Sequence, residues 1–314
     1  MNSNKSLFRI LSLDGGGAKG FYTLGVLKEI EAVCGSELSQ HFQLVYGTST
    51  GAIIAALIAL GKRVDEIHTL YKEHVPTVMR ARCAHTRSGA LNTLAKAVFG
   101  ERTFSEFNTS IGIVATQWDF EKPMIFKTNI QQAHGRQGTF VPGFGCKISE
   151  AIEASCSAYP FFERPRLKTS KGDIIELMDG GYCANNPCLY AIADATVALK
   201  HAHDDLRVIS IGVGSYPEPS CWGFDWLVRR LRSVRLLQKT LNVNTQSMEQ
   251  LRQVLYKDVP TVRVSDTFVK PEMATDLMEH DMVKLDMLYR AGRESFATHE
   301  QRIRDFMEKP EVPQ

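Results

Sequence analysis

Ser49 lies at the centre of Gly47-Thr48-Ser49-Thr50-Gly51, a pattern that can present a nucleophile. The apolar residues before it indicate a short strand, and the residues after it, rich in Ala, Ile and Leu, indicate a helix. Glycines two positions either side of the serine let strand and helix pack closely around a sharp turn that exposes the hydroxyl. The helix start favours negative charge beside the serine. The pattern therefore predicts attack by Ser49 on a carbonyl carbon.

A glycine loop near the N terminus could stabilise the charge that such an attack creates. Residues 14–20, Asp-Gly-Gly-Gly-Ala-Lys-Gly, follow a strand pattern over residues 7–13 and precede a helical pattern over residues 21–33. Consecutive glycine N–H groups in such a loop can form an oxyanion hole. The loop also contains G-x-G-x-x-G, so a non-catalytic nucleotide-binding module that uses Gly15 to Gly20 is an alternative. The next strand does not end in the acidic residue that a ribose would require, which weighs against that alternative.

Asp179 ends a strand pattern over residues 174–178 and opens a second glycine turn, Asp179-Gly180-Gly181. A carboxylate at a strand end is placed as a general base would be, although a turn aspartate that bonds its own backbone is an alternative. A second enzyme class, the Ser-Asp-His α/β hydrolases, also fits the chain order. Its histidine would be one of His201, His203, His280 or His299. No histidine lies beside a glycine-bounded strand end, which disfavours a triad.

The elements that must position these residues alternate between strand and helix patterns. Strands are predicted over residues 42–48, 110–116, 124–128 and 208–214, with 110–116 and 124–128 as neighbours in the sheet. Helices are predicted over residues 148–155, 189–199 and 276–306, and the region 62–102 is helical and polar, with no chemistry assigned to it.

Two segments concentrate basic residues. The first contains Arg80, Arg82, Arg87, Lys96 and Arg102, which form either a binding patch or a solvated helical face. The second is a helix predicted over residues 225–241, where a leucine-rich stripe lies opposite a basic face. That helix either contacts anionic lipid or a partner subunit, or faces the core.

Composition excludes several classes of protein. The 314 residues are 44% hydrophobic and 23% charged, which is typical of a globular protein, and the formal net charge of +2 gives no reason to expect a DNA or RNA duplex as partner. No apolar run is long enough for a membrane span and no signal peptide is visible, so a cytoplasmic location is expected. Seven dispersed cysteines without a C-x-x-C pair predict reduced thiols. We expect no cofactor and no metal.

Four blocks in this order resemble the patatin-like phospholipases: residues 14–20, 47–51, 155–162 and 179–181. The resemblance implies a three-layer α/β/α sandwich around a mostly parallel sheet, and a Ser-Asp dyad without histidine. Carried onto this chain, it makes Ser49 the nucleophile and Asp179 the base, with an oxyanion hole of Gly15, Gly16, Gly17 and Lys19. Lys19 stands where the family usually has arginine, so the charge is kept and the planar fork is lost.

The resemblance also bears on organisation and control. It places the catalytic core at residues 7–214, and we expect the helical segment 215–308 to pack on that core within the same domain. Chains of this kind resemble the bacterial effectors of antiphage defence that cyclic nucleotides activate. The expected partners are therefore membrane phospholipid as substrate, a cyclic dinucleotide or trinucleotide as activator, and a second copy of the chain. The active protein would lie at the inner membrane as a peripheral protein.

Overall fold

The computed structural model describes residues 7–218 and 232–308, which form one mixed sheet with helices on both faces. The strands are β1 (Phe8–Leu13), β2 (Leu44–Thr48), β3 (Ser110–Gln117), β4 (Lys122–Lys127), β5 (Arg166–Lys168), β6 (Ile174–Asp179), β7 (Leu206–Ile211) and β8 (Thr261–Val264). The helices are α1 (Gly20–Cys34), α2 (Thr50–Ala59), α3 (Val64–Arg80), α4 (Ala84–Phe99), α5 (Ile148–Cys156), α6 (Gly181–Ala184), α7 (Cys188–Ala193), α8 (Arg232–Leu255) and α9 (Met282–Met307).

Along the path β5-β6-β3-β2-β1-β7-β8 each strand is hydrogen-bonded to the next, and β4 also pairs with β3. Strands β3, β2, β1, β7 and β8 are parallel, whereas β4, β5 and β6 join by antiparallel pairing. The predicted pairing of residues 110–116 with 124–128 is confirmed.

Alternating side chains of the central strands fill two separate cores. On β2, Val45 packs into the larger core with α1, α2 and α9, while Leu44 and Tyr46 pack into a smaller core with α6 and α7. This alternation follows from the two-residue period of a strand that is buried on both faces. The result is the predicted α/β sandwich of three layers.

Strands β2 and β6 meet end to end along one edge of β3. Thr48 pairs with Val114, and Asp179 pairs with Ala115, the next residue of β3. Because β4 occupies the other edge of β3, β2 and β6 lie on the same side and run toward each other. This register brings the ends of the two strands together at a single point of the sheet.

The C-terminal segment is joined to the sheet and to its helices. Strand β8 extends the sheet beside β7, and α9 packs closely on α1. Gly25 of α1 and Gly292 of α9 lie at that crossing, where a Cβ on Gly25 would lie 3.0 Å from the backbone nitrogen of Arg293. Arg9 of β1 donates to the carbonyl oxygens of Phe306 and Glu308 at the end of α9.

Some predicted elements differ in extent. The helix predicted over 276–306 begins at Met282, and the one predicted over 189–199 ends at Ala193 and continues as a π-helical turn. The helix predicted over 225–241 begins outside the described residues, and α8 extends it to Leu255. Within the described ranges, no helix is long and apolar enough to cross a bilayer.

Candidate active site

Ser49 occupies the sharp turn between β2 and α2 that its sequence pattern predicted. Its φ of 54° and ψ of −126° are unusual for a residue with a side chain, and strain of this kind is found at functional turns. A Cβ on Gly47 would lie 2.6 Å from the Cα of Ala52, and one on Gly51 would lie 2.6 Å from the carbonyl oxygen of Asp14. Both positions therefore require glycine, because backbone of a neighbouring element occupies the space of a side chain.

The Ser49 hydroxyl donates a hydrogen bond of 2.7 Å to Oδ2 of Asp179. Asp179 is buried, with 2% of its surface exposed, and its Oδ1 accepts the N–H of Gly181 at 2.6 Å. Burial raises the pKa of Asp179 to about 6, against the lowering effect of the Gly181 N–H and the Ser49 hydroxyl. The carboxylate is therefore a stronger base than a free aspartate.

Ser155 fixes the backbone of the turn, a role that sequence reasoning missed. Its hydroxyl accepts the Ser49 N–H at 2.9 Å and donates to the carbonyl oxygen of Val114 at 2.6 Å. Ser155 was predicted only as the first residue of the block 155–162, with no role assigned to it. Its position at the end of α5, directly over β3, became apparent only from the fold.

The glycine loop lies against the nucleophile, but its three predicted donors are not equivalent. The N–H of Gly15 donates to the carbonyl oxygen of Asn185 at 2.9 Å, so it is not available to an oxyanion. This corrects the prediction for Gly15. Gly16 and Gly17 line the cavity beside Ser49, and their N–H groups have no acceptor recorded among the described residues. A Cβ on Gly16 would lie 2.6 Å from Cγ2 of Val213, which explains the absence of a side chain.

Lys19 follows this loop and is almost completely buried. Burial lowers the pKa of its ammonium group to about 8, and Asp276 partly offsets that effect. Within the described ranges its ammonium has no ion-pair partner within 4 Å and does not line the cavity. The structure therefore places Lys19 beside the loop rather than on the cavity wall.

Distant parts of the chain hold the glycine loop in place. Arg263 of β8 forms a two-pronged ion pair with Asp14, and its Nη1 also donates to the Ser210 hydroxyl at 2.7 Å. Asn185 donates to the carbonyl oxygen of Gly15 at 3.1 Å, and its own N–H donates to Asn244 of α8 at 2.8 Å. None of these long-range partners was predicted.

An apolar cavity of about 670 Å³, including its open mouth, lies beside Ser49 and Asp179. Its apolar wall comes mainly from α2, α3, α4, the residues after α5, and α8. These lining residues are Ile53, Val75, Val78, Met79, Leu91, Leu94, Phe161, Phe162, Leu241, Leu277 and Met278.

This wall corrects the interpretation of region 62–102, to which no chemistry was assigned. Val75, Val78 and Met79 recur at helical spacing, and together with Leu91 and Leu94 they face the cavity. The signal was present as an apolar stripe, but a stripe of this kind is equally typical of core packing. Only the position of α3 and α4 beside Ser49 shows that this stripe lines a cavity rather than packing into the core.

The four histidines considered for a triad all lie elsewhere in the described structure. The ring of His201 stacks on Phe8 at a centroid distance of 4.1 Å, and that of His203 packs on Tyr256. His280 bonds the carbonyl oxygen of Met278, and His299 belongs to α9. Within the described ranges, no histidine lines the cavity or contacts Asp179. The triad alternative therefore finds no support, and neither does a nucleotide site in the glycine loop, which is packed against Ser49.

A nucleophile turn on an α/β sandwich, a buried carboxylate bonded to its serine, and an adjoining apolar cavity are together typical of serine hydrolases of lipid esters. Residues 11–192 match the patatin-like phospholipase family. The chain belongs to this family.

Three curated relatives are similar to this chain. It is 62% identical to the cUMP-AMP-activated phospholipase of Escherichia coli over 304 residues, which cover 97% of this chain and 95% of that protein. It is 28% identical to a cGAMP-activated phospholipase of Escherichia coli strain TW11681, across 67% of this chain and 63% of that protein. It is 27% identical to the cGAMP-activated phospholipase of Vibrio cholerae, across 66% of this chain and 64% of that protein.

Proposed function

We propose that this phospholipase cleaves acyl esters of membrane phospholipids with Ser49 as nucleophile and Asp179 as general base, and that a cyclic nucleotide activates it. The observation that carries the catalytic part is the 2.7 Å hydrogen bond from the Ser49 hydroxyl to a buried carboxylate at the mouth of an apolar cavity. The cavity accepts the acyl chain, which positions the ester carbonyl over Ser49.

In the acylation step, Oγ of Ser49 attacks the carbonyl carbon while its proton passes to Oδ2 of Asp179. The oxygen that becomes negative accepts hydrogen bonds from the N–H groups of Gly16 and Gly17, and the ammonium of Lys19 adds a favourable field. Collapse of this intermediate breaks the ester bond. The proton on Asp179 passes to the leaving alkoxide, and lysophospholipid departs.

In the deacylation step, a water molecule takes the place of the leaving alcohol. Asp179 accepts a proton from the water as the water attacks the acyl carbon, and returns it to Oγ of Ser49 as the fatty acid leaves. The same carboxylate thus serves as base and then as acid in each half of the cycle. A pKa near 6 suits both roles near neutral pH.

Control by a cyclic nucleotide is proposed from the relatives, because the relative that is 62% identical is named as activated by cUMP-AMP. We propose cUMP-AMP as the first ligand to test and antiphage defence as the setting. A ligand activates only if it binds the active state more tightly, and shifting a mostly inactive population to mostly active requires about 5.5 kcal/mol of differential affinity. Assembly into a homo-oligomer would be one such active state.

The binding site of the activator is still a prediction. An anionic activator would need cationic partners, and the candidates are the basic residues of segments 62–102 and 229–239. In the first of these segments, Lys62 pairs with Glu66, Arg102 lies 3.9 Å from Glu106, and Arg87 donates to the carbonyl oxygen of Phe161. These contacts favour a structural role for several of them. The second segment, Arg229 to Lys239, begins outside the described residues.

The test is fatty-acid release from phospholipid by purified protein, alone and with cUMP-AMP, cGAMP and cyclic trinucleotides. We expect low basal activity that rises steeply with cUMP-AMP, together with an increase in particle size by light scattering. Ser49→Ala protein is the blank. Full activity without any nucleotide, unchanged across the panel, would contradict the control and leave a constitutive acyl hydrolase.

A further inference from the structure

Two exposed aromatic side chains, Trp118 and Phe120, lie in the turn between β3 and β4, and the ring of Tyr159 lies 5.9 Å from that of Trp118. Trp118, Phe120 and Tyr159 are 38%, 65% and 44% exposed. The last pairing of β3 with β2 is at Val114, so Trp118 lies four residues, about 13 Å, beyond the end of β2. The turn between β3 and β4 therefore projects past the end of β2, which Ser49 directly follows.

This aromatic surface, defined as Trp118, Phe120 and Tyr159, adjoins residues that line the cavity. Tyr159 follows Ala158 and precedes Phe161 by two residues, and both of these neighbours line the cavity. The Tyr182 hydroxyl donates to the carbonyl oxygen of Tyr159, which ties the surface to the turn after Asp179. A molecule seated on the aromatic surface would therefore lie beside the segment that forms this part of the cavity wall.

The rings are held in position rather than folded onto the core. The guanidinium of Arg164 lies 3.9 Å from the centre of the Trp118 ring and 5.1 Å from that of Tyr159. Nε of Arg164 in turn contacts Oε1 of Glu176 at 2.8 Å. This arrangement keeps two apolar rings exposed and prearranged, which lowers the entropy lost when a partner covers them.

The charges around the aromatic surface are balanced. Asp119 and Glu121 flank Phe120, and Lys122 lies 4.7 Å from the centre of its ring. Glu176 pairs with both Arg164 and Arg166, so three cations and three carboxylates surround the rings. Such a surface has no excess of positive charge to attract an anionic partner. Exposed tryptophan, tyrosine and phenylalanine in a neutral setting match the headgroup region of a bilayer, where rings with one polar edge are favoured.

We propose that the aromatic surface docks the protein on the lipid bilayer and seats the cavity mouth against it. A substrate acyl chain could then pass from bilayer to cavity without crossing water. The proposal rests on the function proposed above, in which the substrate is a membrane phospholipid. It differs from the expected contact of the helix over 225–241 with anionic lipid, because docking here depends on apolar rings.

The binding test uses Ser49→Ala protein, which leaves vesicles intact, with and without cUMP-AMP. In sedimentation with phosphatidylcholine vesicles, W118S/F120S should bind at least tenfold more weakly, since burial of one aromatic ring alone changes an equilibrium by more than tenfold. Phe120→Ser alone keeps the Arg164 stack and should show a smaller loss, and Phe120→Trp should restore binding. Val197→Ser is the matched control, because Val197 is 51% exposed and belongs to a different element, the π-helical turn after α7.

A second measurement separates docking from chemistry. This measurement uses W118S/F120S protein that keeps Ser49. Its rate of hydrolysis of phosphatidylcholine vesicles should be at least tenfold lower than that of the unmodified protein, whereas its rate with a water-soluble short-chain ester should agree within twofold. If the unmodified protein hydrolyses neither substrate, that result contradicts the proposed function and not the docking proposal.

Unchanged vesicle binding by W118S/F120S would overturn the docking proposal, and so would binding that requires anionic lipid and disappears in high salt. Unchanged binding with altered particle size would instead identify the surface as a protein contact.

Discussion

At the scale of single residues, the environment of Asp179 explains how a carboxylate can act as base without a histidine. A free aspartate has a pKa of about 3.9 and accepts a proton poorly from a hydroxyl. Burial behind Ser49 raises the pKa of Asp179 to about 6, which brings its basicity close to that of an imidazole. The surrounding fold therefore supplies what a third catalytic residue would otherwise provide.

The pH dependence of catalysis follows from this value. The base must be ionised, so kcat/KM should fall about tenfold per pH unit below pH 6 and level above it. The profile should be measured with a water-soluble ester so that membrane binding does not contribute. A flat profile between pH 5 and 7 would contradict the assignment, as would a limb that disappears when a histidine is replaced.

The same shift predicts how stability depends on pH. Because the pKa of Asp179 is higher in the folded protein than in the unfolded chain, the folded state binds more protons between pH 4 and 6. The contribution of this residue to the free energy of unfolding therefore decreases as pH rises through that window. We therefore expect the free energy of unfolding of Asp179→Asn, relative to that of the unmodified protein, to rise by an amount on the order of 2 to 3 kcal/mol between pH 4 and 6. Above pH 6 the difference should stay constant.

Denaturant unfolding at several pH values measures this difference. Asp173→Asn is the control, because Asp173 is exposed and no side-chain hydrogen bond or ion pair joins it to another residue in the described ranges. A constant difference between Asp179→Asn and the unmodified protein across pH 4 to 7 would show that the carboxylate is not destabilised by burial.

At the scale of elements, the sequence was sufficient for the strands and helices that carry the site, but not for their pairing. Glycine-bounded turns after β2 and β6 marked Ser49 and Asp179 because local patterns encode local structure. Asp179 lies next to Thr48 along one edge of β3 because of the register of the two strands on β3. The bond of Asn185 to Gly15 depends on the same long-range geometry, so neither could be predicted from local pattern.

Short edge strands were missed for a related reason. Strands β5 and β8 have three and four residues, too few for the alternation of polar and apolar side chains to stand out. Yet β8 carries Arg263, the partner of Asp14 at the glycine loop. The weakest sequence signal thus belonged to an element that supports the active site.

The crossing of α1 and α9 gives a prediction at this scale. A Cβ on Gly292 would lie 2.9 Å from the carbonyl carbon of Tyr22, so Gly292→Ala should force the two helices apart and destabilise the protein by about 1–3 kcal/mol. Gly89→Ala is the control, because that glycine of α4 faces open space and the alanine should stabilise the helix by about 0.5–1 kcal/mol. Thermal unfolding of both variants distinguishes close packing from a general effect of replacing helical glycine.

At the scale of the whole molecule, we propose that residues 7–214 and 215–308 fold as one domain. The C-terminal segment adds β8 to the sheet and α9 to the larger core. Arg263 in this segment pairs with Asp14, and Asn244 accepts a hydrogen bond from the N–H of Asn185. Each of these contacts crosses the predicted boundary and reaches the glycine loop or the core. A site built from both segments requires both segments to be folded.

Unfolding of the intact chain should therefore be a single transition. Circular dichroism and tryptophan fluorescence should give the same denaturant midpoint and the same slope. A fragment that ends at residue 214 should fail to unfold cooperatively. Two separated transitions, or an active fragment without residues 215–308, would show instead that the catalytic core is independent.

The most direct measurement of the central claim is the rate of fatty-acid release from phospholipid, with cUMP-AMP present, by three folded variants. Ser49→Ala and Asp179→Asn should each lose at least about a thousandfold in kcat, since nucleophile and base act as one unit. A variant with His201, His203, His280 and His299 all replaced by Asn should retain activity within a few-fold of the unmodified protein. If that histidine variant proves as inactive as Asp179→Asn, a triad replaces the dyad of Ser49 and Asp179.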